Sequence, residues 1–342
     1  MSISAKEIAK QLNISAAAVS MALNNKPGIS DATRQRIFET ARELGYDFTK
    51  KQDSESTGTV KFVIYKKHGD IAADTPFFAQ VTEGIQTMCR QNQLNLQVTY
   101  FYEGVDTARQ RKELEKGECI GMILLGTEME AKDCQSFHDL SVPYVVLDSY
   151  FEDISCNTVM INNVQGAYLA VRHLIENGHR RIGYLRSATR IGNFGERADG
   201  YYKALRSEEI PTSHPYVIYL TPTAEGAYED MKAYLEKKPI LPTAYFADND
   251  LIAAGALRAL REYGIRIPED ISMIGFDDMP FCEVLDPPLT TMHVAKQRLG
   301  ALAVERLLNM VKKGDEECVK MELAVKLVKR QSVYNVNRYS NT

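Results

Sequence analysis

The sequence predicts the α/β fold class, with an N-terminal three-helix helix-turn-helix head and a body of doubly wound parallel sheets. Three observations predict it. Residues 1–46 carry three short helical patterns separated by turn residues. Beyond residue 58, apolar strand-like runs alternate with helical stretches. A length of 342 residues exceeds what one core usually organises, so two or three domains are expected.

The head comes first. Ala5, Ile8, Ala9 and Leu12 fall at i, i+3, i+4 and i+7, one apolar helical face. Asn13 sits where the turn wants a residue that tolerates left-handed geometry. Ser15 is placed to cap the next helix, whose inward residues are Val19, Ala22 and Leu23. Ser30 is placed to cap a third helix, with Ile37, Ala41 and Leu44 inward and Gly45 as the stop. Two short helices joined by a tight turn and buttressed by a third let the second enter a DNA major groove. The head is therefore expected to occupy residues 1–47. Residues 48–58 are polar and without periodicity, which reads as a flexible linker.

In the body, 59–342, strands are expected at 60–65, 94–100, 120–125, 144–147, 159–161, 182–185, 217–220, 244–247 and 271–276. Helical patterns lie between them, among others at 77–91, 164–177, 251–263 and 296–313. About ten strands over this length suggest two sheets, each parallel and covered by helices on both faces.

Composition narrows the class. No apolar run is long enough to span a membrane, and no basic-then-apolar leader opens the chain, so a cytoplasmic location is expected. Six scattered cysteines read as reduced thiols, neither a disulfide frame nor a zinc site. There is no Gly-rich phosphate loop, nucleophile elbow or metal-spaced His/Cys set. No cofactor, metal or catalytic residue is therefore expected. Asp277 and Asp278, adjacent at a strand end, should point opposite ways and make a poor acid/base pair. Residues 1–51 hold eight Lys/Arg and five Asp/Glu, +3 of the chain's −4, which leaves −7 for the rest. A mildly basic head on an acidic body suits a protein that touches nucleic acid at one end.

The head residues Ile8-Ala9, Ile14-Ser15, Val19-Ser20, Leu23-Asn24, Ser30, Thr33-Arg34 and Leu44-Gly45-Tyr46 resemble the lactose-repressor (LacI/GalR) family of bacterial transcription regulators. The resemblance continues through Pro76-Phe77-Phe78, His173-Leu174-Ile175, Gly178-His179-Arg180-Arg181-Ile182 and Phe246-Ala247-Asp248-Asn249-Asp250. Its strongest block is 267–278, followed by Pro288-Leu289-Thr290-Thr291. It implies a body similar to periplasmic sugar-binding proteins, two lobes with a ligand cleft between them. The chain would cross between lobes near Asn162, Thr290 and Lys320, giving an N-lobe of 59–161 and 291–320 and a C-lobe of 162–290 and 321–337. It also implies DNA contacts. Ala16, Ala17 and Met21 occupy the base-reading positions, and Ser15, Ser20, Asn24, Ser30 and Thr33 match positions that hold phosphates. None of the reading residues has a hydrogen-bonding side chain, so apolar contacts to A·T steps are expected. The linker departs from the family, whose members usually carry a hinge helix opened by Pro, with an Ala-Arg-x-Leu element whose Leu wedges into the minor groove. Here Asp47-Phe48 replaces the Pro-containing start, and no Leu, Ile, Val or Met lies between Phe48 and Val60.

The candidate effector residues also share one topological position. Phe77 and Phe78 follow the first body strand, and Asp148 ends the fourth. Asn193 and Arg197 follow strand 182–185, Asn249 follows 244–247, and Asp277 follows 271–276. Ligands of open α/β sheets bind outside the carboxyl ends of strands, so these side chains should converge. An aromatic face suits the C–H face of a sugar, and Arg, Asn and Asp suit its hydroxyls. Phe77 or Phe78 stacked on a nucleobase is the alternative. Two blander readings stand beside these: either Phe as core at a helix start, and Asp148 as a turn cap. His179-Arg180-Arg181 reads as positive charge at a helix end.

The reading that follows is a ligand-responsive repressor, not an enzyme. It would bind a pseudo-palindromic double-stranded operator as a homodimer, with a carbohydrate effector and no membrane partner. Val81, Ile85 and Met88 offer a dimer face, or else pack on their own sheet. The rival is a solute-binding or enzymatic α/β protein without DNA function. It would need an export signal or a catalytic constellation.

Overall fold

The computed structural model describes residues 3, 5–23, 28–46, 58–67, 69, 75–212, 216–315 and 317–336. The chain divides into two compact units, one within 1–56 and one within 57–342.

The head holds α1 (Ala5–Leu12), α2 (Ala16–Leu23) and α3 (Asp31–Glu43). Ile8, Ala9, Val19, Ala22, Ile37 and Ala41 are buried together, two from each expected apolar face. Asn13 takes φ 53°, which lets the chain reverse between α1 and α2. Ser15 Oγ accepts the Ala18 N–H at 3.1 Å, and Ser30 Oγ accepts the Thr33 N–H at 3.3 Å. Both satisfy otherwise orphaned helix donors. Gly45, at φ 70°, ends α3. Arg34 donates from α3 to the Ala22 carbonyl of α2 at 3.1 Å. Asn24 and residues 48–57 of the expected linker lie outside the described residues.

The body alternates as expected. Its first lobe runs β1 (Thr59–Lys66), α4 (Pro76–Gln91), β2 (Asn95–Tyr102), α5 (Thr107–Glu115), β3 (Gly121–Leu125), α6 (Ala131–Gln135), β4 (Tyr144–Leu147) and β5 (Thr158–Ile161). The second runs α7 (Asn163–Glu176), β6 (Ile182–Ser187), α8 (Gly192–Ser207), β7 (Val217–Leu220), α9 (Ala224–Leu235), β8 (Ala244–Ala247), α10 (Asp250–Glu262) and β9 (Ser272–Ile274). The chain then makes β10 (Thr291–His293), α11 (Lys296–Lys313), β11 (Lys320–Leu323) and β12 (Lys326–Val328). One sheet has the order β11-β5-β4-β3-β1-β2, the other β7-β6-β8-β9, and both are parallel throughout. β10 and β12 form a short antiparallel pair.

The passages between lobes differ in detail from expectation. Asn162, near which the first was expected, lies between β5 and α7. The second comes after β10, not at Thr290. Backbone bridges Ile274–Thr290 and Asp277–His293 keep 290–293 beside the second sheet. The third comes after Leu323, because 320–323 pair with β5 in the first sheet.

The expected dimer face is also corrected. Val81 and Ile85 are fully buried, because α11 lies across α4. A Cβ on Gly84 would stand 2.0 Å from the Gln297 carbonyl oxygen, and one on Gly300 2.1 Å from that of Val81. The two glycines thus let the helix backbones touch, and the stripe becomes core. Met88 is half-buried against the same cluster.

Candidate functional site

The helix expected to read DNA, α2, has one face outward and one inward. Ala16 and Ala17 are exposed, while Val19 and Ala22 face the core. Met21 is half-buried, and its terminal methyl lies so near Gly28 that an added Cβ there would come within 2.9 Å. The Ser30 and Thr33 hydroxyls are 2.8 Å apart at the start of α3. Ser15 and Ser30 therefore act first as caps, with a lone pair left for a further donor. Ser20 is half-buried.

In the body, all seven effector candidates line one cavity of about 180 Å³ between the two sheets. The strand-end rule predicts this convergence, and the local backbone achieves it. Asp148 leaves β4 at φ 63°, and Asp277 leaves β9 at φ 113°. These are unusual angles for residues with side chains, and they turn both carboxylates into the cleft.

Arg197 is the centre of the polar set. It is 4% exposed. Its Nε donates to Asn163 Oδ1 at 2.9 Å, Nη1 to the Asp248 carbonyl at 2.5 Å, and Nη2 to Asp277 Oδ1 at 3.3 Å. Its guanidinium lies 3.8 Å from the Phe276 ring centroid. Burial pushes the Asp277 carboxyl up, an effect that the charges of Arg197 and Lys296 partly offset. Asp278 points the other way, to Arg330 and His293, each at 2.8 Å. Its pKa is lowered, those two partners outweighing the upward effect of burial.

Asp148 is 2% exposed. Its Oδ2 accepts from the Thr127 hydroxyl at 2.7 Å. Its Oδ1 is buried and has no hydrogen-bond partner among the described residues. Burial raises its pKa to about 6. This is more than a turn cap. Asn249 does cap a helix, its Oδ1 accepting the Ile252 N–H at 2.9 Å, while the residue lines the cavity. Its neighbours turn inward. Asp248 accepts from the Ser187 N–H and Tyr184 hydroxyl, and Asp250 from the Met279 N–H and Thr291 hydroxyl. Burial raises these two carboxyls to about 6 and about 7. Asn193 is buried and accepts from Asn163 Nδ2 at 3.3 Å.

The two phenylalanines divide the expected roles. Phe78 is buried in the core and also touches the cavity, while Phe77 is half-buried against the core shared by both lobes and against a second cluster in the second lobe. Their rings meet edge to face at 5.1 Å. Sequence reasoning missed Thr127, Phe194, Thr223, Met279 and Phe281, which line the same cavity. Thr127, Thr223 and Met279 follow the carboxyl ends of β3, β7 and β9, so the same rule reaches them.

His179 is buried, with its ring nitrogens 3.1 Å from the Thr243 hydroxyl and the Tyr334 carbonyl. Burial lowers its pKa, so it stays neutral and pins the C-terminal segment instead of carrying helix-end charge. Among the described residues no metal-ligating cluster occurs, and no helix is long and apolar enough to cross a membrane.

Residues 4–47 match the family model of bacterial regulatory proteins of the lacI family, and 171–333 match that of a periplasmic binding protein-like domain. A ribose operon repressor from Haemophilus influenzae is 30% identical over 338 residues, covering 97% of this chain and 98% of its own. Among solved structures, the complex of the transcriptional regulator CelR with cellobiose has a TM-score of 0.73 at 26% identity, covering 96% of this chain and 99% of that one. A lacI-family regulator from Enterococcus faecium with bound ribose has a TM-score of 0.69 at 25% identity, covering 81% of this chain and 99% of that one.

Proposed function

The chain belongs to the lacI family of bacterial regulatory proteins, and from that membership we propose a cytoplasmic transcriptional repressor whose operator affinity is set by a sugar held in the cleft between its sheets. One observation carries the effector reading. Arg197, Asn249, Asp277 and Asp148 arrive from four strand ends in one cavity walled by Phe77 and Phe78. Regulators of similar fold that hold cellobiose and ribose support it. Binding there biases the lobes, and the coupling to DNA is reciprocal. Calorimetry on Arg197→Ala and Asp277→Ala tests it. Both should lose sugar binding, and unchanged affinity in both would rule out the site. A nucleobase stacked on the half-exposed Phe77 ring is the second reading, and a thermal-shift screen against sugars and nucleobases separates the two.

On DNA, the exposed Ala16 and Ala17 methyls and the part-exposed Met21 meet thymine methyls, while Ser15, Ser20, Asn24, Ser30 and Thr33 hold phosphates. Two heads are needed for a pseudo-palindrome, so a second copy of the chain is required. In place of the buried α4 stripe, the edge strand β2 offers an interface. Val98, Tyr100 and Tyr102 share one face and are 43–45% exposed. Selection from a random DNA pool should enrich a symmetric site with A·T pairs under the reading helices. Enrichment of none would defeat this reading.

A further inference from the structure

We infer that Cys134 and Cys156 form an oxidant-sensitive thiol pair, which closes a disulfide inside the first lobe and ties the segment after β3 to the start of β5. Neither residue lines the cavity described above, so this modification site is a separate one.

Two elements bring the pair together. Cys134 sits in α6 and is fully buried, while Cys156 lies just before β5 and is half-buried. Both pack into one apolar cluster of the first lobe, with Phe137, Val146 and Tyr144. Sheet register sets the direction of Cys156. Val146 of β4 pairs with Thr158 of β5, and the Val146 N–H donates to the Asn157 carbonyl at 2.8 Å. Two residues back along both strands, Tyr144 stands beside Cys156 on the same face. Cys134 meets the Cys156 thiol on one side and the Tyr144 hydroxyl on the other. That hydroxyl lies 2.6 Å from Nδ1 of the exposed His138. On the far side of β5, Lys320 pairs with Thr158, which carries the exposed Cys318 to the level of Cys156.

The chemistry of the pair differs from that of the other buried thiols. Burial alone pushes Cys89 up to about 11. At Cys134 the neighbouring Cys156 thiol lowers the pKa more than burial raises it, and Tyr144 assists against the charge of Asp133. The two sulfurs thus share one proton and give up the other more easily than an isolated buried thiol does. A hydroperoxide reaches the half-buried Cys156. With the shared proton on Cys134, the Cys156 sulfur attacks one peroxide oxygen, the O–O bond breaks and an alcohol or water leaves. The Cys134 sulfur then displaces the hydroxyl from the sulfenic acid, which departs with the Cys134 proton as water, and the S–S bond forms. Two thiols and one hydroperoxide give one disulfide, one alcohol and one water, the sulfurs losing the two electrons that the peroxide gains. The bond reports on the cleft because of where α6 begins. Ala131 follows closely on Thr127, which lines the cavity and holds Asp148. Glu128 accepts the Lys67 and Gly69 N–H groups at 2.8 and 3.1 Å, and Asp133 pairs with the Lys67 ammonium at 3.4 Å. A bond at Cys134 anchors that whole segment to β5. In a reducing compartment such a bond is transient, as a sensor requires.

The test treats the native full chain with hydrogen peroxide, blocks the remaining thiols with iodoacetamide in denaturant, and maps the peptides by mass spectrometry. A peptide joining Cys134 to Cys156, two hydrogens lighter than its parts and released by dithiothreitol, is expected. Cys89 and Cys282, buried in other clusters, should stay free and take the label. Labelling of Cys134 and Cys156 to the same extent as Cys89 overturns the inference. So does a link from Cys156 to Cys318, or one between chains through Cys318, with Cys134 still labelled. In Cys318→Ser the link from Cys134 to Cys156 should form as before, and its loss would mean that the pair does not close directly. Hydrogen exchange supplies the second readout. Backbone amides of 127–135 should exchange more slowly in the oxidised chain than in the reduced one. Equal exchange in a chain shown to carry the bond would mean that the disulfide tethers nothing, and the inference fails.

Discussion

Asn163 shows how one buried amide organises the cleft without lining it. It is 1% exposed, accepts from Arg197 Nε, and donates to Glu196 Oε2 at 2.9 Å and Asn193 Oδ1 at 3.3 Å. Removing it takes a partner from the buried Arg197 and Asn193 and from the part-buried Glu196, and frees Arg197 to swing. Asn163→Ala should therefore weaken effector binding by about 10-fold or more, since each lost buried partner costs about 1–3 kcal/mol. Operator affinity of the effector-free chain should stay within about twofold, because the head folds as its own unit. Calorimetry on the variant checks this, and native-like sugar affinity would show that Arg197 keeps its place unaided. Asp148 supplies a pH signature. Its folded pKa of about 6 lies above the usual carboxylate value of 3.8, so the folded chain binds the extra proton between those pH values. The penalty of its charge is full above pH 6 and fades as pH falls toward 4. The melting advantage of Asp148→Asn should be greatest near pH 7.5, on the order of 2–3 kcal/mol at most, and shrink on acidification. A gap independent of pH would mean that the charge is not its cause. Residue types and strand-end positions made Arg197, Asn249 and Asp277 legible in the sequence. The roles of Asn163 and Thr127 were not, because an amide or hydroxyl that serves a neighbouring side chain leaves no periodic trace.

Among the elements, long helices and the short apolar strands were legible, and the short polar strands near the C-terminus were not. The pattern 296–313 matches α11 (Lys296–Lys313), whereas β10, β11 and β12 of three or four residues escaped notice. Their register comes from long-range pairing, not from local sequence. The α4 stripe of Val81, Ile85 and Met88 had the right period but an ambiguous partner, and Gly84 and Gly300 decide it by admitting α11. Gly300→Ala should thus destabilise the body by about 1–3 kcal/mol, since the new methyl meets a backbone carbonyl that cannot step aside. Urea unfolding checks it, and a neutral effect would mean that the helices separate freely. The face proposed for the dimer is β2, where the Tyr100 and Tyr102 rings stack at 6.2 Å and Lys66 lies 4.9 Å over Tyr100. Tyr100→Glu with Tyr102→Glu should shift the chain toward monomer in sedimentation at micromolar concentration, with effector binding kept. A dimer unchanged by both would place the interface elsewhere.

Whole-molecule behaviour depends on the stretch of sequence between the two units. A hinge helix that kinks an operator needs helix-forming residues and an apolar wedge, because the gain in contact must exceed a few kcal/mol of base unstacking. Residues 48–58 offer a weak helical tract and no aliphatic wedge. Ser54, Ser56, Thr57 and Gly58 are weak helix formers, Asp53 and Glu55 would face phosphates, and no aliphatic side chain lies between Phe48 and Val60. Phe48 is the one apolar side chain in that stretch able to serve as a wedge. Without a wedge, effector control is expected to act through the spacing of two tethered heads, with the operator nearly straight. Two measurements follow. A chain lacking 1–58 should bind sugar as the full chain does and lose all operator binding. A circular-permutation assay on the bound operator should show little bending, with Phe48→Ala making no difference. A sharp central kink that disappears with Phe48→Ala would assign the wedge to Phe48. A kink that survives it would mean that this segment forms a hinge helix against its own composition.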